Sequence, residues 1–146
     1  SRQNLPFIER NSKQVAQISK GGYVLQDCTQ PPELILIATG SEVNIALSAV
    51  QQLNQQGKQV RLISMPCTDV FDAQEDSYKE SVLPNNVTKR LAIEAGVPDY
   101  WSKYVGLNGD TIGVATFGAS APGDVVMRHF GFTQENIVKR ALAMLN

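Results

Sequence analysis

The stretch LILIATGSE at residues 34–42 decides the fold class. Its first five residues, Leu34–Ala38, form a continuous apolar run, which is typical of a strand buried on both faces of a sheet. Residues 39–41 are turn formers, and from Glu42 onward apolar side chains recur at helical spacing as far as Leu53. A buried strand that leads directly into an amphipathic helix is the repeating unit of a parallel α/β fold.

The same alternation of strand and helix continues on both sides of this unit. Further strands are predicted at residues 23–25, 60–64, 91–94 and 111–115, and further helices at residues 12–18, 74–82, 100–105, 122–130 and 133–145. The short turns between them predict a three-layer α/β sandwich built on a five-stranded, mostly parallel sheet. The first strand is short and is reached without a crossover helix, so we expect it to lie antiparallel at an edge of the sheet.

Local signals predict where three of the helices begin or end. Ser12 and Thr133 are predicted N-caps of the first and last helices. Gly57 stands where the helix that follows the buried strand should end in a left-handed residue. We divide the chain into a linker with the first helix at residues 1–20 and an α/β domain at residues 21–146. The sequence opens without an initiator methionine, so we expect a fragment of a longer protein.

The composition is that of a soluble globular protein and gives no reason to expect a nucleic-acid partner. Of 146 residues, 13 are basic and 14 are acidic, which gives a formal net charge of −1. The longest apolar stretches are far shorter than a bilayer span, so we expect no membrane partner. Cys28 and Cys67 match no metal-ligand spacing, and so few thiols predict a reducing, cytoplasmic location. A Cys28–Cys67 disulfide is the less favoured alternative.

Short motifs, most of them at the turns, follow one another in a recognisable order. They are SRQNL at residues 1–5, GGYVL at 21–25, ATGSEV at 38–43, SMP at 64–66, SVLP at 81–84, EAG at 94–96 and FGFT at 130–133. The ordered set resembles the C-terminal domain of transketolases. Related thiamine enzymes, such as deoxyxylulose-phosphate synthases and 2-oxoacid dehydrogenase β subunits, are alternatives, over which the SRQNL and SMP motifs favour transketolase.

The resemblance implies part of a transferase that moves a two-carbon ketol unit from ketose to aldose phosphates in the pentose phosphate pathway. The resemblance also implies a homodimer of three-domain subunits, with thiamine diphosphate and a divalent cation (Mg or Ca) between the first two domains of each subunit. The matching cofactor residues are absent here, because Gly109-Asp110 is followed by Thr111 and the only histidine is His129. We therefore expect a structural docking module without cofactor or metal, inactive by itself.

Arg2 is the one substrate-binding residue that the resemblance implies. The resemblance implies that the arginine of the SRQ motif binds the terminal phosphate of the sugar substrate. A guanidinium suits this role, because it keeps its charge at neutral pH and meets phosphate oxygens through two parallel hydrogen bonds. We expect Arg2 to be frayed in the isolated fragment, since its partners for phosphate belong to upstream domains.

The second candidate site is the edge of the sheet at the carboxyl ends of the parallel strands, where ligands bind in many α/β folds. Ser41 and the first amides of the next helix are able to hold an anion there, although a tight turn with an N-cap accounts for the same residues. We interpret Glu94, at the end of a strand, as a structural residue that accepts hydrogen bonds from neighbouring turns, in preference to a residue that contacts a ligand. Of the aromatic residues after it, Trp101 is predicted in the core, while Tyr100 and Tyr104 remain open between core and interface. A small-molecule regulatory domain with a pocket at this edge is the alternative function.

Overall fold

A computed structural model of the chain describes residues 8–40, 42–94, 102–113 and 133–146. The helices are α1 (Ser12–Ile18), α2 (Glu42–Gln55), α3 (Thr68–Asp72), α4 (Asp76–Val82), α5 (Ser102–Val105) and α6 (Gln134–Leu145). The strands are β1 (Tyr23–Gln26), β2 (Leu34–Ala38), β3 (Val60–Ser64), β4 (Arg90–Glu94) and β5 (Asp110–Gly113). The predicted elements at residues 12–18, 34–38 and 60–64 are thus confirmed at both ends.

The five strands form one sheet in the order β1-β3-β2-β4-β5. Strand β2 is parallel to both of its neighbours, β3 and β4, and β5 is parallel to β4. Strand β1 runs antiparallel to β3, with Tyr23 opposite Ser64, and is the outer strand on that side. The predicted mostly parallel sheet with one antiparallel edge strand is therefore confirmed.

Hydrophobic cores cover both faces of this sheet. Every residue of β2 is fully buried, and its side chains alternate between the two cores. Leu34 and Leu36 pack with the apolar faces of α2 and α6, whereas Ile35 and Ile37 pack with residues of α3, α4 and α5. Helices therefore lie on both sides of the sheet, which confirms the three-layer arrangement.

Two predicted helix ends are confirmed. The Thr133 side chain accepts a hydrogen bond from the backbone N–H of Asn136 at 3.1 Å, which is the geometry of an N-cap. Gly57 has a φ of +86° two residues beyond the end of α2. Its N–H donates to the carbonyl of Asn54, so it satisfies one of the carbonyls that the last turn of the helix leaves without a partner.

Other local predictions were wrong or lie outside the described residues. The N-cap of α1 is Asn11 and not Ser12: the Asn11 side chain accepts from the Gln14 N–H, and the Gln14 side chain accepts from the Asn11 N–H. The reciprocal pair satisfies two backbone donors at once, which a cap at Ser12 would not. The helix predicted at residues 74–82 starts only at Asp76, and α3 precedes it. The helix predicted at residues 122–130 lies outside the described residues.

The helices of the described part of the chain are too short or too polar to reach across a bilayer.

Candidate functional site

The carboxyl ends of the parallel strands meet at one edge of the sheet, as the sequence predicts. At this edge the Met65 N–H donates to the carbonyl of Ala38 at 2.9 Å, which joins the ends of β2 and β3. Glu42 is only 5% exposed at the start of α2, so its carboxylate lies inside the fold. Ser41, the side chain of Glu94 and residues 95–101 lie outside the described part of the chain. The pocket at this edge therefore stays a prediction.

The Gly21-Gly22 pair packs directly against the turn that follows β3. The Cys67 N–H donates to the carbonyl of Gly21 at 3.0 Å, and the Tyr78 hydroxyl donates to the carbonyl of Gly22 at 2.6 Å. A side chain at Gly21 would meet the backbone of Cys67 and Phe71, so only glycine fits. The sequence analysis singled out this pair only as part of the GGYVL motif, and its contact with α3 joins residues about fifty positions apart.

An ion pair and a buried phenol meet next to this turn. Asp72, the last residue of α3, accepts from the Lys103 ammonium and from the Tyr104 hydroxyl, each at 2.7 Å. Tyr104 is 6% exposed and its ring packs 6.4 Å from the ring of Phe71. The structure thus assigns Tyr104 to the core, a choice that the sequence left open. Tyr100 and Trp101 lie outside the described residues.

The charge of Asp72 makes this contact sensitive to pH. Burial raises the pKa of the Asp72 carboxyl, but hydrogen bonds from Lys103 and Tyr104 and the positive charges of Lys103 and Lys79 outweigh it, so the pKa lies below its ordinary value. A lowered folded-state pKa means that the carboxylate stabilises the fold above its unfolded pKa of about 3.9 and loses that effect as pH falls through the folded value.

We expect Asp72→Asn to lower the free energy of unfolding by about 1 kcal/mol at pH 7, because the neutral amide loses the water-screened ion pair with Lys103 and accepts a weaker hydrogen bond from Tyr104. The difference between variant and unchanged chain should shrink as pH falls from the unfolded pKa of about 3.9 through the lowered folded pKa, because the unfolded chain takes up the proton first. Urea unfolding at pH 7 and pH 3 measures the difference in free energy of unfolding between the variant and the unchanged chain. Asp76→Asn is the control, because the Asp76 side chain is fully exposed and lies 3.6 Å from Lys79. An equal loss for both variants, or a loss that does not depend on pH, would contradict the assignment.

Two grooves lie at the opposite edge, at the amino ends of the strands. One of about 600 Å³ is lined by Pro31, Pro32, Arg61, Asn86 and Lys89, among others. Its neighbour of about 350 Å³ is lined by Asn85, Thr88, Arg90 and residues 105–108. The arginines of both grooves are already bound within the domain, Arg61 to Asp27 at 3.0 and 3.2 Å and Arg90 to four backbone carbonyls. Neither guanidinium is therefore available to an anionic ligand.

The two thiols are free and lie at opposite edges of the sheet. Cys67 follows the carboxyl end of β3 and is exposed, whereas Cys28 lies beyond the far end of the antiparallel strand β1. Burial raises the pKa of the Cys28 thiol, and the neighbouring Asp27 carboxylate adds to the effect. The Cys28–Cys67 disulfide, the less favoured alternative, is excluded by this arrangement.

The described residues do not bring metal ligands together. Within residues 8–40, 42–94, 102–113 and 133–146, no three His, Cys, Asp or Glu side chains are close enough together to hold a metal ion. No catalytic step is assigned to these residues. Arg2 and His129 lie outside the described part of the chain.

Comparison with known proteins identifies the family. The model of the transketolase-like TK C-terminal domain matches residues 21–133. The chain is 59% identical over 145 residues to Transketolase 2 of Aliivibrio fischeri and 54% identical to Transketolase 1 of Escherichia coli, covering 99% of this chain and 22% of each relative. The solved transketolase of Pichia stipitis in complex with sedoheptulose-7-phosphate matches 98% of this chain and 20% of its own, with a TM-score of 0.84 and 38% identity. The transketolase of Leishmania mexicana matches with a TM-score of 0.79 and 35% identity over 89% of this chain and 18% of its own.

The chain thus spans about a fifth of the length of the curated relatives that it matches. The sheet order, the helices on both faces and the match over residues 21–133 all agree with one domain of those proteins. The chain therefore belongs to the transketolase-like C-terminal domain family.

Proposed function

We propose that this chain is the C-terminal domain of a transketolase, which transfers a two-carbon ketol unit from ketose to aldose phosphates, and that it serves there as a docking module. The observation that carries this proposal is 59% identity to a transketolase across 99% of the chain. Relatives of this similarity generally share their chemistry. The pentose phosphate pathway, a cytoplasmic location and assembly into a homodimer are parts of the same proposal.

Thiamine diphosphate and its divalent cation belong, in this proposal, to the upstream domains. The described residues support that division, because three of their ion pairs join segments of the domain to one another. Asp72 binds Lys103 and Tyr104, Arg61 binds Asp27, and Arg140 of α6 binds Asp110 of β5 at 2.7 Å. A domain whose ion pairs serve its own fold suits a rigid support for a neighbouring active site.

The experiment is an assay of ketol transfer from a ketose phosphate to an aldose phosphate. Three proteins are compared: the full-length protein that contains this chain, the same protein without it, and the 146-residue chain alone. We expect transfer by the full-length protein in the presence of thiamine diphosphate and magnesium, and none by the chain alone. Turnover by the chain alone would contradict the docking role, and no transfer by the full-length protein would contradict the family activity.

Arg2 is proposed to bind the terminal phosphate of the sugar substrate in the full-length protein. We expect Arg2→Ala to lower kcat/KM for phosphorylated substrates about 10- to 100-fold, because charge-assisted hydrogen bonds are worth about 1.5–3 kcal/mol each. The effect should appear mainly in KM, since the phosphate is remote from the reacting carbons. Steady-state kinetics of the full-length variant measures it.

A ketol donor without a phosphate group is the matched control for Arg2. Its kcat/KM should be the same in the variant and the unchanged protein, because it offers nothing for the guanidinium to bind. Arg2→Lys should recover only part of the loss, since an ammonium is a point charge without the planar pair of donors. Equal losses with both kinds of donor would show that Arg2 does not bind the phosphate.

A further inference from the structure

Helix α1 presents its polar side to the sheet and its apolar side to solvent. Gln14 and Gln17 are the half-buried residues of the helix, whereas Val15 is 57% and Ile18 39% exposed. An amphipathic helix on a globular domain normally shows the opposite arrangement, with its apolar stripe against the core. The apolar side of α1 therefore lacks a partner within the described part of the chain.

The inward side of α1 is held by hydrogen bonds to the edge strand. The Gln14 side-chain amide donates to the carbonyls of Val24 and Leu25 at 3.1 and 2.8 Å. Just before the helix, Arg10 donates to the Tyr23 hydroxyl at 2.7 Å. These contacts fix the rotation of α1, so that Val15 and Ile18 are held pointing away from the domain.

Val70 of α3 extends this surface. It is 39% exposed, and a side chain at Gly21 would lie 3.0 Å from its Cβ, while the Gly21 N–H donates to the carbonyl of Ile18. Gly21 therefore lies between Ile18 and Val70, and we name the exposed side chains Val15, Ile18 and Val70 together the α1–α3 patch. Among the described residues, the other large apolar side chain in such an exposed position is Leu107, which lies at the opposite edge of the sheet.

We infer that the α1–α3 patch is the surface on which the upstream part of the same polypeptide docks; this rests on the proposed function. The chain matches only 22% of the length of its relatives, and α1 is the first described helix, directly after the residues that would connect to the rest. A covalently joined neighbour has a high effective concentration, so a small apolar contact is enough to hold it. A second free copy would need roughly 800 Å² of surface on each partner, far more than three side chains supply.

The test compares amide hydrogen exchange of α1 in the full-length protein and in the 146-residue chain. We expect the amides of residues 12–18 to exchange at least about tenfold more slowly in the full-length protein, because docking covers them. The double variant Val15→Ser/Ile18→Ser should abolish that difference while leaving the unfolding midpoint of the 146-residue chain unchanged. Leu107→Ser, an equally apolar but remote exposed position, should keep the difference in full.

Equal exchange of α1 in the two proteins would overturn the inference. Self-association of the 146-residue chain that Val15→Ser/Ile18→Ser abolishes, seen by sedimentation at several concentrations, would overturn it in favour of a second copy. Ketol transfer by the full-length protein is measured on the same samples. Transfer without protection of α1 defeats this inference alone, whereas protection without transfer defeats the proposed activity alone.

Discussion

Replacing Gly21 with alanine is expected to lower the free energy of unfolding by about 3–5 kcal/mol. Two effects add up at this position. The backbone φ of Gly21 is +86°, a left-handed conformation that costs a residue with a Cβ about 1–2 kcal/mol. The new methyl group would also overlap the carbonyl oxygen of Cys67 and the backbone nitrogen of Phe71, and backbone atoms cannot move aside as a flexible side chain would.

Gly57→Ala is the matched control for Gly21→Ala. Gly57 has the same φ of +86°, but a Cβ there would meet no atom within 4 Å. This variant should lose only the conformational part, about 1–2 kcal/mol. Urea unfolding of the two variants at pH 7 separates the conformational cost from the overlap. Equal losses would mean that the turn after β3 moves aside freely and that Gly21 is required only for its φ.

Replacing Arg90 with methionine is expected to lower the free energy of unfolding by about 2–4 kcal/mol, because buried carbonyls lose their donors. The half-buried guanidinium donates to Val87 at 2.9 Å, to Tyr104 at 2.8 Å, and to Leu83 and Pro84 at 3.4 and 2.8 Å. These carbonyls belong to the loop after α4 and to α5, so one side chain joins the two segments that flank β4 on this face. Burial lowers the pKa of Arg90, yet its ordinary value is so high that the group stays charged at neutral pH.

Arg90→Lys distinguishes the hydrogen bonds from the charge. A lysine keeps the positive charge and most of the apolar stem, but its ammonium cannot reach four carbonyls that surround a planar guanidinium. We expect the lysine variant to recover less than half of the stability that the methionine variant loses. The midpoint of urea unfolding at pH 7 measures both. Full recovery by lysine would show that charge alone is needed at this position.

The local pattern was enough to predict most of the fold. The run Leu34–Ala38 is apolar at every position because the strand is covered on both faces, and a strand of this kind occurs in parallel sheets. The antiparallel position of β1 was predicted because this strand is short and no crossover helix leads into it. Thr133 and Gly57 were predictable because caps depend on residues within one turn of the helix.

The candidate site was predictable only in part. The position of the carboxyl edge followed from the sequence, because parallel strands end together, but a site at this edge stays a prediction, since Ser41 and the side chain of Glu94 lie outside the described part of the chain. The role of Arg2 came from a motif and stays a prediction. The Asn11 cap was missed because Asn and Ser are equally good caps, and which of them acts depends on where the helix begins.

The family, the layered α/β class and the order of the strands along the chain follow from the amino-acid sequence alone, because they depend on motifs and on apolar spacing along short stretches. Only the tertiary structure decided that Gly21 packs against Cys67, that Tyr104 binds Asp72, and that α1 turns its apolar side outward. Each of these contacts joins groups that are distant in the chain. Gln14 and Val24 are 10 positions apart, and Gly21 and Cys67 are 46 positions apart. Local propensity carries no information on such contacts, because they form only when packing of the two cores brings the segments together.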